Sequence, residues 1–285
     1  MNPSDGPSSR HAMRCMEIWG GSHATETFVA TPGLDAWIYS MPHEGAAQGG
    51  DVHYVSLCGG GVITRLIVAD VSGHGTSVAE VARALRAIMR RNINCKSQTR
   101  LVRALNRQFA ELAQMQRFAT AVVATYLNSR RRLSVCNAGH PRPLFYRVAT
   151  GRWTLLEQGT VDAEHGVANL PLGLTDETSY DQVEVALDKG DVVLFYTDAL
   201  IEAGDDSGHF LGEQGLLEIA RGLDPGDPSS MGPALLDGVA RHRRGEAADD
   251  DVTLLVLHHN AGRPRRQSLG EKLDVYAKFF GLKDV

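Results

Sequence analysis

A β-strand that runs straight into a carboxylate constrains this chain more than any other feature. Thr64 to Gly75 reads TRLIVADVSGHG: an apolar run, then Asp70, then a glycine-rich turn, then a helix-like segment. An acid at the end of a buried strand is costly unless something cationic pairs with it. Three more aspartates sit at strand boundaries: Asp51 in GGD, Asp198 in LFYTD, and Asp250 before DVTLLVL. DVHYVSLC and VITRLIVAD flank Gly59-Gly60-Gly61 and read as a hairpin. The start of one hairpin strand lies near the end of the other, so Asp51 and Asp70 are expected to be neighbours. If DVTLLVL runs antiparallel to LFYTD, Asp198 meets Asp250 in the same way.

Carboxylates gathered like this cannot all stay ionised without cations. Oxygen-only donor sets select Mg²⁺ or Mn²⁺. Two such ions roughly 3.5–4 Å apart clamp a phosphoryl group and generate hydroxide near neutral pH. The bland alternative for any single acid is a turn or helix cap, and Asp70 alone fits that role.

The rest of the chain bounds the setting. Its 285 residues allow one large domain or two small ones, and a net charge of −5 implies no broad nucleic-acid-binding surface. The one basic cluster, Arg263, Arg265 and Arg266, reads as a solvated linker. Cys15, Cys58, Cys95 and Cys136 stand apart, with no CxxC or CxxH spacing, which argues against a disulfide framework or zinc site and fits a reduced cytoplasm. The first 14 residues carry no apolar stretch of signal-peptide type. No run approaches the ~18 apolar residues of a membrane span.

Residues 1–33 read as a loosely packed arm, 34–260 as the main domain, and 261–285 as a basic linker with an amphipathic tail helix over 269–282 that docks on the body or on a second copy. Leu34 to Pro42 alternates as a strand. A helix is predicted over Thr76 to Arg91, with a Ser77–Glu80 capping box and an apolar face of Val78, Val81, Ala82, Leu85 and Met89. A second is predicted from about Thr99 to Gln116, with Leu101, Leu105, Phe109 and Leu112 inward. Two further hairpins turn at Asn128 to Arg130 and at Thr150-Gly151. A long loop spans Gln158 to Ser179, then come strands YDQVEVAL and DVVLFYTD, helices near Glu213 to Arg221 and Pro228 to Arg243, and the strand DVTLLVLHH. Strands in hairpins with helices in two groups favour antiparallel sheets covered by helices.

Seven motifs occur in an order that resembles a known family: GGD (Asp51), ADVSGHG (Ala69 to Gly75), FATAVV (Phe118 to Val123), NAGHP (Asn137 to Pro141), PLG (Pro171 to Gly173), YTDALIEA (Tyr196 to Ala203) and DDVTLLVL (Asp250 to Leu257). Together they resemble the SpoIIE/RsbU-type serine phosphatases of the metal-dependent PPM (PP2C-like) family, over roughly Leu34 to His259. The resemblance implies an α+β fold, a four-layer αββα sandwich of two antiparallel sheets flanked by helices. It implies that Asp70 bridges two Mn²⁺ or Mg²⁺ ions. The Val71 carbonyl and Asp51 would serve the first ion, and Asp198 and Asp250 the second. A metal-bridging water would attack phosphorus in line, without a phosphoenzyme.

His74 is the candidate leaving-group acid, set against a plain hydrogen-bonding turn residue. Asn137, Gly139 and His140 are candidates for lining the substrate site, set against a turn before proline. Asp249 and Asp251 are alternates to Asp250. The family departs most visibly at Ala199, where relatives carry glycine. The implied activity is a protein serine/threonine phosphatase acting on a phosphoprotein, a STAS-type anti-anti-sigma factor being the usual substrate. A homodimer is compatible, and neither nucleic acid nor membrane is expected. The rivals are a pseudophosphatase used as a binding scaffold and a hydrolase of small phosphoesters.

Overall fold

The structure is a computed structural model; it describes residues 10–13, 17–72, 76–92, 95, 97–113, 118–157, 168–175, 178–264 and 270, with side chains at 76–80, 112 and 113 left aside. Several expectations therefore lie outside the described residues: the roles of His74, Cys15, Arg265 and Arg266, the Ser77–Glu80 cap, the inward Val78 and Leu112, residues 158–167 of the long loop, and the tail helix.

Thirteen strands and four α-helices make up the described fold. Before the Asp51 hairpin come β1 (Arg10–Ala12), β2 (Ile18–Gly21), β3 (Thr25–Thr31) and β4 (Leu34–Met41). The hairpin itself is β5 (Asp51–Cys58) and β6 (Ile63–Val71), followed by α1 (Thr76–Asn92) and α2 (Gln98–Ala113). Next are the hairpins β7 (Ala119–Leu127) with β8 (Arg132–Ala138), and β9 (Leu144–Arg147) with β10 (Arg152–Leu155). The chain continues through β11 (Val183–Ala186), β12 (Val192–Tyr196), α3 (Gly212–Arg221), α4 (Pro228–His242) and β13 (Val252–His259).

One sheet has the order β1-β3-β4-β13-β12-β9-β10 and the other β11-β8-β7-β6-β5-β2. All neighbours are antiparallel except β1 and β3, a parallel pair at one edge. The sheets face each other through one apolar layer that includes Ile38, Val55, Leu66, Val68, Val122, Phe195 and Leu255. Outside the second sheet, α1 and α2 bury Leu85, Ile88, Leu101, Leu105 and Phe109 against Ile67, Ala69 and Val123. Outside the first, Leu216, Leu217, Met231 and Leu235 of α3 and α4 cover Trp37, Leu194 and Leu254. This is the four-layer αββα sandwich. Both faces of the central strands are buried, which is why LIVAD and VVLFY read as continuous apolar runs rather than alternating ones.

Residues 17–33 correct the expectation of a loose arm. β2 pairs with β5 as the edge strand of one sheet, and β3 pairs with β4 in the other, flanked by the edge strand β1. The reading missed it because TETFVAT carries little hydrophobic signal; Thr27 and Thr31 are buried nonetheless, as β3 lies on the sheet interface. Among the described residues, no helix is long and apolar enough to cross a membrane.

Candidate metal centre at the rim of the sandwich

Strand parity builds this rim. In β6, Leu66 and Val68 point into the layer between the sheets while Ile67 and Ala69 point at the helices. The period of two therefore carries Asp70 to the same inter-sheet face, at the strand's end. In β5, Val55 sets the same phase for Asp51, and the register pairs Asp51 directly with Asp70. Asp70 in turn lies opposite Thr120 of β7. The other sheet contributes by the same rule: Val193 and Phe195 of β12 face inward, and so does Thr197. Asp198 is the next residue and opens a short 3₁₀ turn, Asp198–Leu200. In β13, Leu255 and Leu257 set the phase for Thr253 and Asp251.

The electrostatics record how close these acids come. Asp51 is only 3% exposed, and burial followed by the charge of Asp70 holds its carboxyl well above the usual carboxylate range. Hydrogen bonds from Thr197 and Thr253 work the other way. Asp70 is pushed up to about 7, first by burial, then by the charges of Asp198, Asp250, Asp251 and Glu202. Asp198 is raised by burial, then by Glu202 and Asp250, against backbone N–H groups of its own turn. Burial is the largest cause at all three, and mutual repulsion among the acids adds to it. Among the described residues, no three His, Cys, Asp or Glu side chains form a closed metal-ligand cluster. The donor set is all oxygen and rich in negative charge, and it fits a hard divalent cation better than a soft one.

Asp250 and Asp251 have different jobs. The Asp251 carboxylate accepts from the backbone N–H of His43 at 2.6 Å, of Gly50, and of Asp51 at 3.3 Å. It fills the space beside Gly49, where a Cβ would sit 2.3 Å from Asp251 Oδ2. That explains Gly49 of GGD: the turn wraps a carboxylate too closely for a side chain there. Asp250 is exposed, and its Oδ1 accepts from the Asp251 N–H at 2.7 Å. Asp251 is thus committed to bracing the Asp51 turn, while Asp250 faces Asp70 and Asp198 with its charge.

The NAGHP residues, expected to line the substrate site, brace one another and the neighbouring loop. Asn137 Nδ2 donates to the His140 carbonyl and its Oδ1 accepts from the His140 N–H, both at 2.7 Å. Gly139 has φ 67°, and a Cβ there would lie 2.6 Å from Pro171 Cγ, so only glycine lets the PLG loop close down. That loop is tied back through hydrogen bonds between Leu172 and Ala119. His140 is buried, and its Nδ1 shares a 2.8 Å hydrogen bond with the Thr120 hydroxyl. Burial pushes its pKa down to about 3, which keeps it neutral. Ala199 is buried within the 3₁₀ turn and is absent from the non-glycine residues with positive φ, so its methyl costs the turn nothing.

Thr197, Thr253 and Thr120 were missed in the sequence. The signal was present in phase: each stands on the inward parity of a strand whose other inward residues are apolar.

The family model for stage II sporulation protein E (SpoIIE) matches residues 61–260. The chain belongs to the SpoIIE family. Among curated relatives, the phosphoserine phosphatase RsbP of Bacillus subtilis is 25% identical over 142 residues, which is 48% of this chain and 33% of RsbP. The chain thus aligns with about a third of that relative's length. Among solved structures, the RsbU and RsbW domains of a Mycobacterium tuberculosis protein superpose with a TM-score of 0.65 at 24% identity, covering 91% of this chain and 70% of that one. The SiaA PP2C domain of Pseudomonas aeruginosa gives 0.66 at 17% identity, covering 78% and 85%. RsbX, solved in complex with magnesium, gives 0.56 at 14% identity, covering 82% and 99%. At these identities the structural matches establish a shared PP2C-like fold.

Proposed function

We propose that this SpoIIE-family chain is a metal-dependent protein serine/threonine phosphatase. The observation that carries the reading is the convergence of Asp51, Asp70, Asp198 and Asp250 at one rim, from both sheets and from opposite halves of the chain. Asp70 would serve both of two Mg²⁺ or Mn²⁺ ions. Asp51 and the Val71 carbonyl would complete one position, and Asp198 and Asp250 the other. When bound, such ions neutralise the acids, polarise a phosphoryl group and lower the pKa of water in contact with them.

The chain's own contribution is placement. The β5–β6 register fixes Asp51 against Asp70, Thr197 and Thr253 hold Asp51 as an acceptor, and Asp251 holds the turn that carries it. The open, acid-lined rim admits a phosphorylated side chain presented by another protein. Phosphoserine on a STAS-type anti-anti-sigma protein is the proposed substrate. RsbP, RsbU and SpoIIE supply that expectation by kinship. The proposal includes a cytoplasmic setting, in keeping with the isolated cysteines.

Hydrolysis of p-nitrophenyl phosphate with added Mn²⁺, lost on Asp70→Ala, tests the enzyme reading. Absence of turnover with either Mn²⁺ or Mg²⁺ would overturn it in favour of a scaffold. Faster release of phosphate from a phosphorylated STAS-domain protein than from free phosphoserine tests the substrate. The reverse preference would mark a small-phosphoester hydrolase.

A further inference from the structure

Beneath the acid rim the hydroxyl of Thr197, beside that of Thr253, links Asp51 to the opposite sheet. Thr197 Oγ1 lies 2.7 Å from Asp51 Oδ2, and the Thr253 backbone N–H donates to that same Oγ1 at 2.9 Å. A hydroxyl has one proton to give. An N–H can only donate to Oγ1, so the Thr197 proton is free to go to the carboxylate. The one competing acceptor, the Thr253 carbonyl, is more distant at 3.4 Å. That carbonyl already accepts from the Thr197 backbone N–H at 3.0 Å. Thr253 is locked in turn, with its hydroxyl 3.0 Å from that of Ser40 on β4. All four residues are buried.

We infer that Thr197 is the positioning residue of the metal centre. This rests on the reading of Asp51, Asp70, Asp198 and Asp250 as cation ligands. Asp51 belongs to one sheet and Asp198 to the other, and the layer behind them is mostly apolar, with the Tyr126–His259 hydrogen bond (2.9 Å) crossing it further along. Apolar packing sets a spacing between sheets but is non-directional, so it does not fix the carboxylate's orientation. The Thr197–Asp51 hydrogen bond is directional and crosses that layer. Because Thr197 is covalently next to Asp198, the bond sets the offset between the two carboxylates from opposite sheets. It also occupies one chosen oxygen of Asp51, which orients the carboxylate plane. Groups that hydrogen-bond to ligands in this way typically change metal affinity by 10–100-fold when removed.

The test uses the full chain. Thr197→Val keeps the shape and removes the hydroxyl; Thr197→Ser keeps the hydroxyl. Mn²⁺ affinity is measured by calorimetry, beside the melting temperature in EDTA and the KM and kcat for p-nitrophenyl phosphate. Expected is Mn²⁺ binding weakened by about 10–100-fold in Thr197→Val and restored to within a few-fold of wild type in Thr197→Ser. Thr197→Val will also melt lower, because the Thr253 N–H loses its acceptor. A purely structural hydroxyl would lower the melting temperature while leaving Mn²⁺ affinity unchanged in the folded fraction, and that result would overturn the inference. A wild-type protein that binds no Mn²⁺ would instead overturn the metal-centre reading on which it rests.

Discussion

Removing the charge of Asp70 should stabilise the metal-free protein while destroying its response to metal. Asp70 is ordinarily a group of pKa 3.8 and in the fold is pushed up to about 7 by burial and by Asp198, Asp250, Asp251 and Glu202. A folded-state pKa above the unfolded one means the folded chain holds the proton more tightly. The charged form is therefore penalised: not at all below about 3.8, progressively above it, and fully above about 7. At 1.36 kcal/mol per pH unit, the full penalty is on the order of 4 kcal/mol. For a chain of this size each kcal/mol moves the melting temperature by about 2–4 °C, so the ceiling on the gain is roughly 8–16 °C.

The substitution is Asp70→Asn, nearly the same shape and uncharged. Melting curves are recorded in EDTA from pH 5 to 8.5, then with excess Mn²⁺. In EDTA at pH 8 the variant should melt several degrees above wild type, and the gap should shrink by more than half by pH 5. Mn²⁺ should reverse the order, since each of two ions at 100 times its Kd adds about 2.7 kcal/mol, and the pair together, about 5 kcal/mol, exceeds the penalty. The variant, lacking the shared ligand, should gain little. A variant that melts below wild type in EDTA at pH 8, or a gap indifferent to pH, would refute the repulsion argument.

Other substitutions probe the neighbouring parts. Asp250→Asn should weaken Mn²⁺ binding with little change in melting temperature, because its side chain is exposed, whereas Asp251→Ala should cost about 2–3 kcal/mol in urea unfolding by orphaning the N–H groups of His43, Gly50 and Asp51. Gly139→Ala should cost about 1–3 kcal/mol from its positive φ alone, with more from the contact on Pro171. His53 is fully buried, its ring nitrogens have no hydrogen-bond partner among the described residues, and burial pushes its pKa down to about 3. It is neutral when folded and charges when unfolded, so its contribution to stability falls as pH drops from about 6.5 towards 3. His53→Leu should therefore lose on the order of 2–3 kcal/mol less than wild type between pH 6.5 and 4.5, measured by denaturant unfolding in EDTA.

Most of the fold was legible because hairpins are local. The Asp51–Asp70 juxtaposition followed from one turn at Gly59 to Gly61, and the register places those two residues opposite each other. The β12–β13 pairing was guessed from two apolar runs and is present, though Asp198 meets the start of β13 across a turn rather than within the ladder. Two things resisted reading. The strands before Leu34 were hidden because they are short or, like β3, bury small polar residues such as Thr27 and Thr31 and so lack apolar periodicity. The distinction between Asp250 and Asp251 was hidden because it depends on backbone donors at His43 and Gly50, some 200 residues away. NAGHP illustrates a third difficulty. Its histidine and asparagine read as substrate groups in a sequence, while their bonds to Thr120 and to each other, and the packing of Gly139 on Pro171, are visible only in three dimensions.

The most direct measurement is anomalous diffraction from crystals grown with Mn²⁺. Two peaks are predicted at the rim, one shared by Asp51 and Asp70, the other by Asp70, Asp198 and Asp250, with Asp251 turned away on the backbone of Gly50. No anomalous density among these four acids, or density held by Asp249 or Asp251 while Asp70 stays uncoordinated, would contradict the metal centre.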